Sequence, residues 1–317
     1  MATAPFVFSP ALTAVAVAYV QQDLIADRVL PRIPVDAELF RYNKYALGDA
    51  FRNPDTLVGR KSAPNQLDWA ATSATDSTQD HGLDAPVPNK DITLYRSAVA
   101  AGLTNTADPL ARAARMIEGA VQNRRESRAA GLVFGGANYA TANKVTLSGT
   151  GQWSDYTNSN PVDAIVDALD AMVMRPNMGV LGWDTASKML RNPKVVSRLY
   201  GGLSTRGSAR LEDLAAELGL DEIVVGKALI DTAAPGQATA LARCWGKHAA
   251  FIYRNRDAAP EGAITFGFTA QFGSKIAGTI DDPDIGLEGG VRVRNGERVK
   301  ELITANDLGF LFINAVA

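Results

Sequence analysis

Residues 160–200 read NPVDAIVDALDAMVMRPNMGVLGWDTASKMLRNPKVVSRLY. Asn160 is a helix cap, Pro161 suits the first helical position, and Asp163 complements the positive end of a helix dipole. Val162, Ile165, Val166, Leu169, Met172 and Val173 then share one face at helical spacing. Arg175-Pro176 ends that helix, and Met178 to Leu181 is an apolar run of buried-strand type. A second helix opens at Asp184 and must finish before Asn192-Pro193, which cap and start a third, running to Tyr200. Helix, buried strand, helix, helix is a domain core, and nothing in it is arranged for catalysis.

Working outward, 317 residues suffice for one large or two ordinary domains. A hydrophobic content of 46% with 21% charged residues is that of a globular chain. The net charge of −2 argues against a general nucleic-acid binder. One cysteine, Cys244, excludes an intrachain disulfide and fits a reducing compartment, and two histidines make a His-rich or Cys-rich zinc site improbable. Residues 10–20 (PALTAVAVAYV) are apolar, but no basic residue precedes them and the run is too short to span a bilayer. They are expected to pack against protein.

Pro31 and Pro34 forbid a continuing helix, so residues 1–40 should be largely extended. Such a stretch is either an ordinary leading strand or an arm laid across a neighbouring subunit. Residues 41–91 are polar and turn-rich, too long for a plain loop. Strand-like pieces at Phe40-Tyr42-Lys44 and Leu67-Trp69 favour a two-stranded projection. Asp108-Pro109 opens the strongest helix, residues 108–134, about 27 residues or roughly 40 Å, ended by Gly135-Gly136. Leu110, Ala114, Ile117 and Val121 mark its apolar face, and Arg112, Arg115, Arg125 and Glu126 are expected in solvent. Further on, Leu211, Leu214, Ala215 and Leu218 define a helix closed by Gly219, and Ile223–Val225 is a buried strand. Ala240–Trp245 and His248–Arg254 read as two strands joined at Gly246-Lys247. Strands are also expected at Ile264–Phe272, Lys275–Ile280 and Gly290–Arg294, before an apolar C-terminal run. The mixture is α+β.

The segment RPNMGVLGWDTASKMLRNPKVVSRL resembles the axial domain of the major capsid proteins of tailed bacteriophages, the Hong Kong-97-type shell fold. Ile25 to Val35 is similar to the start of one subgroup, and His81 to Ile92 to the exit from that family's extended E-loop. Glu222–Ala228 and Cys244–Tyr253 resemble the second half of the axial domain. The motifs follow one another in the family's order over almost the whole chain. The resemblance implies an N-terminal arm (1–40), an E-loop (41–91), a peripheral domain (92–158) with its spine helix (108–134), an axial domain (159–272), and a return to the peripheral domain (273–317). It implies a structural subunit of an icosahedral head in the virion, self-assembled in the host cytoplasm as hexamers and pentamers around double-stranded DNA. Expected partners are further copies, a scaffolding protein encoded elsewhere, a portal, optionally a decoration protein, and DNA held without sequence reading; no membrane is expected. An encapsulin-type compartment, or a soluble α/β enzyme with an unseen site, is the alternative.

No catalytic residue, cofactor or metal is expected. Gly202–Ser208 has part of a phosphate-loop spacing but lacks its lysine, and reads as a loop at the tip of the axial domain. Asp281, Asp282, Asp284 and Glu288 lack the ligand periodicity of a calcium loop and read as an acidic turn. Cys244 is expected as inert core within an apolar strand, His81 in a loop, and His248 at a strand start, neither with a nucleophile partner. Some shells of this fold weld subunits with a Lys–Asn isopeptide bond promoted by a glutamate. Lys61, Asn295 and Asn314 do not match that family motif and read as a surface lysine and structural asparagines.

Overall fold

The computed structural model describes residues 7–8, 24–44, 53, 56–64, 72–103, 107–201, 207–234, 236–255 and 264–317. The opening stretch folds as its residues dictate. Helix α4 (Pro161–Asp170) leads to the strand β7 (Met178–Gly182), buried throughout, and then to α5 (Trp183–Met189) and α6 (Pro193–Leu199). The Asn192 side chain caps α6 by accepting from the Lys194 N–H at 3.0 Å. Asn160 makes no such capping bond; its amide donates instead to Asp163. Because α4 stops at Asp170, Val173 leaves the apolar face and is 58% exposed.

β7 is an inner strand of a five-stranded sheet ordered β6 (Lys144–Thr146), β15 (Gly309–Ile313), β11 (Ala249–Ile252), β7, β8 (Glu222–Gly226). Both faces are covered, which is why β7 and β11 are apolar runs without alternation. Leu181, Ala249 and Phe251 face α4, α6 and α7 (Leu211–Leu218) on one side. Met178, Val180, Ala250 and Ile252 face Val29, Leu30, Ala129, Ala130 and Trp245 on the other. Helix α7 ends at Gly219 in the left-handed region, φ +67°, as a glycine C-cap should. Gly226 is required for another reason: a Cβ there would lie 2.1 Å from the Trp245 ring.

The second sheet is built on β14 (Gly290–Ile303), fourteen residues long. One edge carries β5 (Gln79–Pro88); the other carries β13 (Ile276–Asp282) along its first half and β12 (Gly267–Phe272) along its second. Val7–Phe8 (β1) pairs with β13, and β2 (Arg32–Val35) runs parallel to β12. The sequence reading stopped this strand at Arg294. Its charged residues continue the alternation because Arg294, Arg298 and Lys300 meet Asp84, Asp80 and Asp76 across the ladder or beside it. Helix α2 (Asn89–Ala100) follows β5, and the long helix α3 (Pro109–Val133) lies on this sheet through Ala113, Ala114, Ile117 and Val121. Asp108 caps α3, accepting from Leu110 N–H at 3.0 Å.

A two-stranded ribbon joins β3 (Leu39–Lys44) to β4 (Thr72–Ser77), with Lys44 opposite Thr72. Phe40 and Tyr42 at its base pack with Ile33, Val35 and Phe268. The expected strand at Leu67-Trp69 lies outside the described residues.

Three expectations are corrected. The stretch from Ile25 to Val35 is not free to lie on a neighbour: α1 (Ala26–Val29) and β2 belong to the subunit's own core, with Ile25, Val29 and Leu30 buried. The residues flanking Gly246 do not form a hairpin. β10 (Leu241–Arg243) pairs with β9 (Leu229–Asp231) in a separate sheet, while β11 turns into the five-stranded one. Finally, β15 lies beside β11 rather than with the strands that precede it, so the end of the 273–317 segment shares a sheet with residues 178–182.

Candidate functional site

The chemistry of this chain is concentrated where α3 meets the segment 25–32. Arg125 and Glu126, expected in solvent, are each 1% exposed. Arg125 lies one turn beyond Val121 on the buried stripe, and this charged residue on an apolar face was the legible signal. Glu126 Oε1 accepts from Ile25 N–H at 2.9 Å and from the Trp245 indole at 2.6 Å, and Oε2 accepts from Ala26 N–H at 2.8 Å. These bonds satisfy the amide groups at the start of α1. Burial raises the Glu126 pKa against the pull of those donors.

Arg125 donates to Asp27 and to Thr269 Oγ1 (3.1 Å), and its Nε lies 3.7 Å from Glu301. Arg128 holds Glu301 in a two-pronged pair at 2.8 and 3.1 Å. Arg32 bridges Asp27 (2.8 Å) and Glu297 (2.7 Å). Glu222 accepts from Arg28 and Arg254, each at 2.5 Å, and Arg254 also donates to the Arg28 carbonyl. Burial opposes ionisation of Asp27, Glu301 and Glu222, but the neighbouring guanidiniums outweigh it and hold all three below the usual carboxylate range. Buried arginines forking onto carboxylates are costly to break once formed. The network therefore locks α1, α3, β8, β12 and β14 into one body.

The residues singled out in the sequence are not brought together. Gly202–Arg206 lie outside the described residues; Gly207 has φ +115° and Ser208 Oγ donates to the Ala209 carbonyl. Asp282 accepts from Arg292 and from the Asp284 N–H, closing a turn. Among the described residues, no group of three or more His, Cys, Asp and Glu could hold a metal ion. Cys244 follows β10 instead of lying within a strand, and burial together with the charge of Glu126 pushes its thiol up to about 12. That keeps it protonated and unreactive. His81 lies in β5 opposite Glu297, not in a loop. His248 precedes β11, its Nδ1 accepting from Asn314 N–H at 3.1 Å, and burial lowers its pKa. Lys61 is exposed in a turn, whereas Asn295 is fully buried and Asn314 sits at φ +53°. No described helix is long and apolar enough to cross a membrane.

The outer surface, by contrast, is studded with apolar side chains: Leu39 on the ribbon, Leu94 and Val99 on α2, Met116 on α3, Leu229 and Leu241 on the β9–β10 pair. They are spread over several elements instead of forming one groove, the distribution expected of many modest contacts.

No family model matches the chain. It is 49% identical over 317 residues to the major capsid protein of Pseudomonas phage JBD67, the match covering all of both chains. Its structure is similar to a phage-related protein of Bordetella bronchiseptica RB50, at a TM-score of 0.75, 24% identity and 98% of each chain. It is also similar to the capsid of cyanophage P-SCSP1u, at a TM-score of 0.61 and 10% identity, over 93% of this chain and 89% of that one. At such identities the structural likeness shows the fold, and the full-length relative shows the family: the chain belongs to the phage major capsid proteins and has the Hong Kong-97-type fold.

Proposed function

We propose that this chain is the repeating subunit of an icosahedral tailed-phage head, closing as pentamers and hexamers around double-stranded DNA. The observation that carries this is the full-length match to a phage major capsid protein. The role is structural, not catalytic, and its place is the virion. Dispersed exposed apolar side chains and a separate two-stranded ribbon support multivalent assembly, in which each contact is weak and closure makes the sum strong. On this reading the ribbon β3–β4 is the base of the E-loop, α3 is the spine of the peripheral domain, and the five-stranded sheet is the core of the axial domain. A scaffolding protein, a portal and weak contact with packaged DNA are the partners this role calls for.

Negative-stain electron microscopy of the expressed protein, alone and with a co-expressed scaffolding protein, tests the reading. Closed shells, tubes or sheets are expected. A uniform small oligomer under both conditions would overturn it, and shells filled with protein cargo but never with DNA would move the assignment to a protein compartment.

A further inference from the structure

Trp183 and Lys227 each follow a glycine at the carboxyl end of a strand, and those glycines, Gly182 of β7 and Gly226 of β8, are paired in the five-stranded sheet. The Trp183 ring is 37% exposed and draws two cations: Lys227 Nζ lies 5.5 Å from its centroid and the Arg243 guanidinium 5.6 Å. Arg243 also donates to the Lys227 carbonyl at 2.8 Å, and neither cation has a carboxylate partner among the described residues. Leu229 pairs with Arg243 across the β9–β10 ribbon, and Leu241 is two residues before Arg243, so both exposed leucines share its face. Arg124 of α3 lines the crevice beside β9 with Leu229. Of the acids nearby, Asp231 is engaged by the Ala233 and Ala240 N–H groups, and Asp184 is in the first turn of α5. Exposed tryptophan and arginine beside bare apolar side chains mark a surface that binds protein.

A surface of opposite charge lies across the same sheet. Helices α4 and α7 pack there through Ile165, Leu169, Leu214 and Leu218. Together they carry Asp163, Asp167, Asp170, Glu212, Asp213 and Glu217 and no basic residue. Arg198 reaches Asp163 and Glu217, and Arg175 reaches Asp170. Asp167 and Glu212 have no ion-pair partner among the described residues. Val173, just beyond α4, adds an exposed apolar side chain. The sheet separates this flank from the cationic surface, because Trp245, two residues past β10, packs on the other face with Val180 and Ala250. One copy cannot bring the two surfaces together, whereas a second copy can. We propose that the Trp183–Lys227–Arg243 surface docks head to tail on the acidic α4–α7 flank of the next copy. Two unlike surfaces meeting in this way form a heterologous contact, the kind that closes into rings. Opposite charge selects the partner and sets the register, while the leucines and Val173 supply apolar area. This contact, which rests on the shell-subunit reading, repeats around each ring.

The test is charge reversal in the full-length protein, read by electron microscopy of shells and by circular-dichroism melting. Lys227→Glu with Arg243→Glu, and separately Asp167→Lys with Glu212→Lys, should leave melting unchanged and abolish shells, because like charges then face each other. The four substitutions combined bring opposite charges back together and should restore shells. Either double variant assembling as the wild type does would overturn the proposal. So would a folded quadruple variant that makes no shells while both doubles also make none; the cationic surface would then serve another anionic partner, DNA included. Should a variant fail to fold, carbodiimide cross-linking of wild-type shells decides. Lys227 should be joined to a carboxylate of α4 or α7, and its absence from the cross-linked peptides overturns the contact. Wild-type protein that forms no shells removes the subunit reading and this contact with it, a result distinct from shells that tolerate the reversals.

Discussion

Glu126 Oε1 and Trp245 Nε1 meet at 2.6 Å inside the protein, tying the long helix α3 to the turn that follows β10. The same carboxylate holds the first two amides of the segment leading into β2, so one side chain aligns three parts of the chain. Glu126→Gln would turn one of the two accepting oxygens into an NH2 that faces an N–H donor. It should destabilise the subunit by about 1–3 kcal/mol, and Trp245→Phe by about 1 kcal/mol. Urea unfolding of both variants and of the pair checks this. Additive losses would show that the two residues do not interact.

Acid should loosen the network. The folded pKa values of Asp27, Glu222 and Glu301 lie below their ordinary values, so their contribution is present above the unfolded pKa and is lost as pH falls through the folded one. Glu126 has the opposite sign: its pKa is raised, so its contribution is lost as pH rises, and it partly offsets the other three in acid. The urea midpoint should fall between about pH 5 and pH 3, and more steeply in Glu126→Gln. A flat profile would remove the network as a source of stability.

Truncation separates arm from core. Removing residues 1–23 takes away, among the described residues, only the edge pairing of Val7–Phe8 with Gly278 and Thr279. A folded subunit that assembles poorly is expected. Removing residues 1–30 also deletes Asp27 and the buried Ile25, Val29 and Leu30, leaving Arg125 and Glu126 short of partners. That loss, on the order of 3–5 kcal/mol from the charges alone, should abolish cooperative melting followed by circular dichroism. Unchanged melting of the longer truncation would show that α1 is dispensable.

Lys44 pairs with Thr72, so replacing residues 46–70 by a two-residue turn should close the ribbon without disturbing it. The melting temperature should stay within a few degrees while shell formation is lost, read by electron microscopy. Normal shells from this variant would sink the E-loop assignment.

Local elements were legible where neighbours in sequence decide them. The Asn192 cap, the Gly219 stop and the apolar run of β7 are local in this sense. What escaped depends on distant partners. Arg125 and Glu126 read as solvated because Asp27, Thr269 and Trp245, which satisfy them, lie about a hundred or more residues away. The stretch 25–35 read as an arm because Pro31 and Pro34 stop a helix from continuing but cannot reveal a parallel partner in β12. The break at Gly246 looked like a hairpin because a turn residue says nothing of which sheet each flank joins.

β14 gives the subunit a mechanical character. The strand is a common beam: β13 is fastened along its first half, β12 along its second, and β5 clamps the far edge across the junction at residues 290–299. A hinge there would have to tear an intact ladder. When a container of such subunits changes curvature, the bending must be taken up by twist along this beam or by pivoting where one copy touches the next.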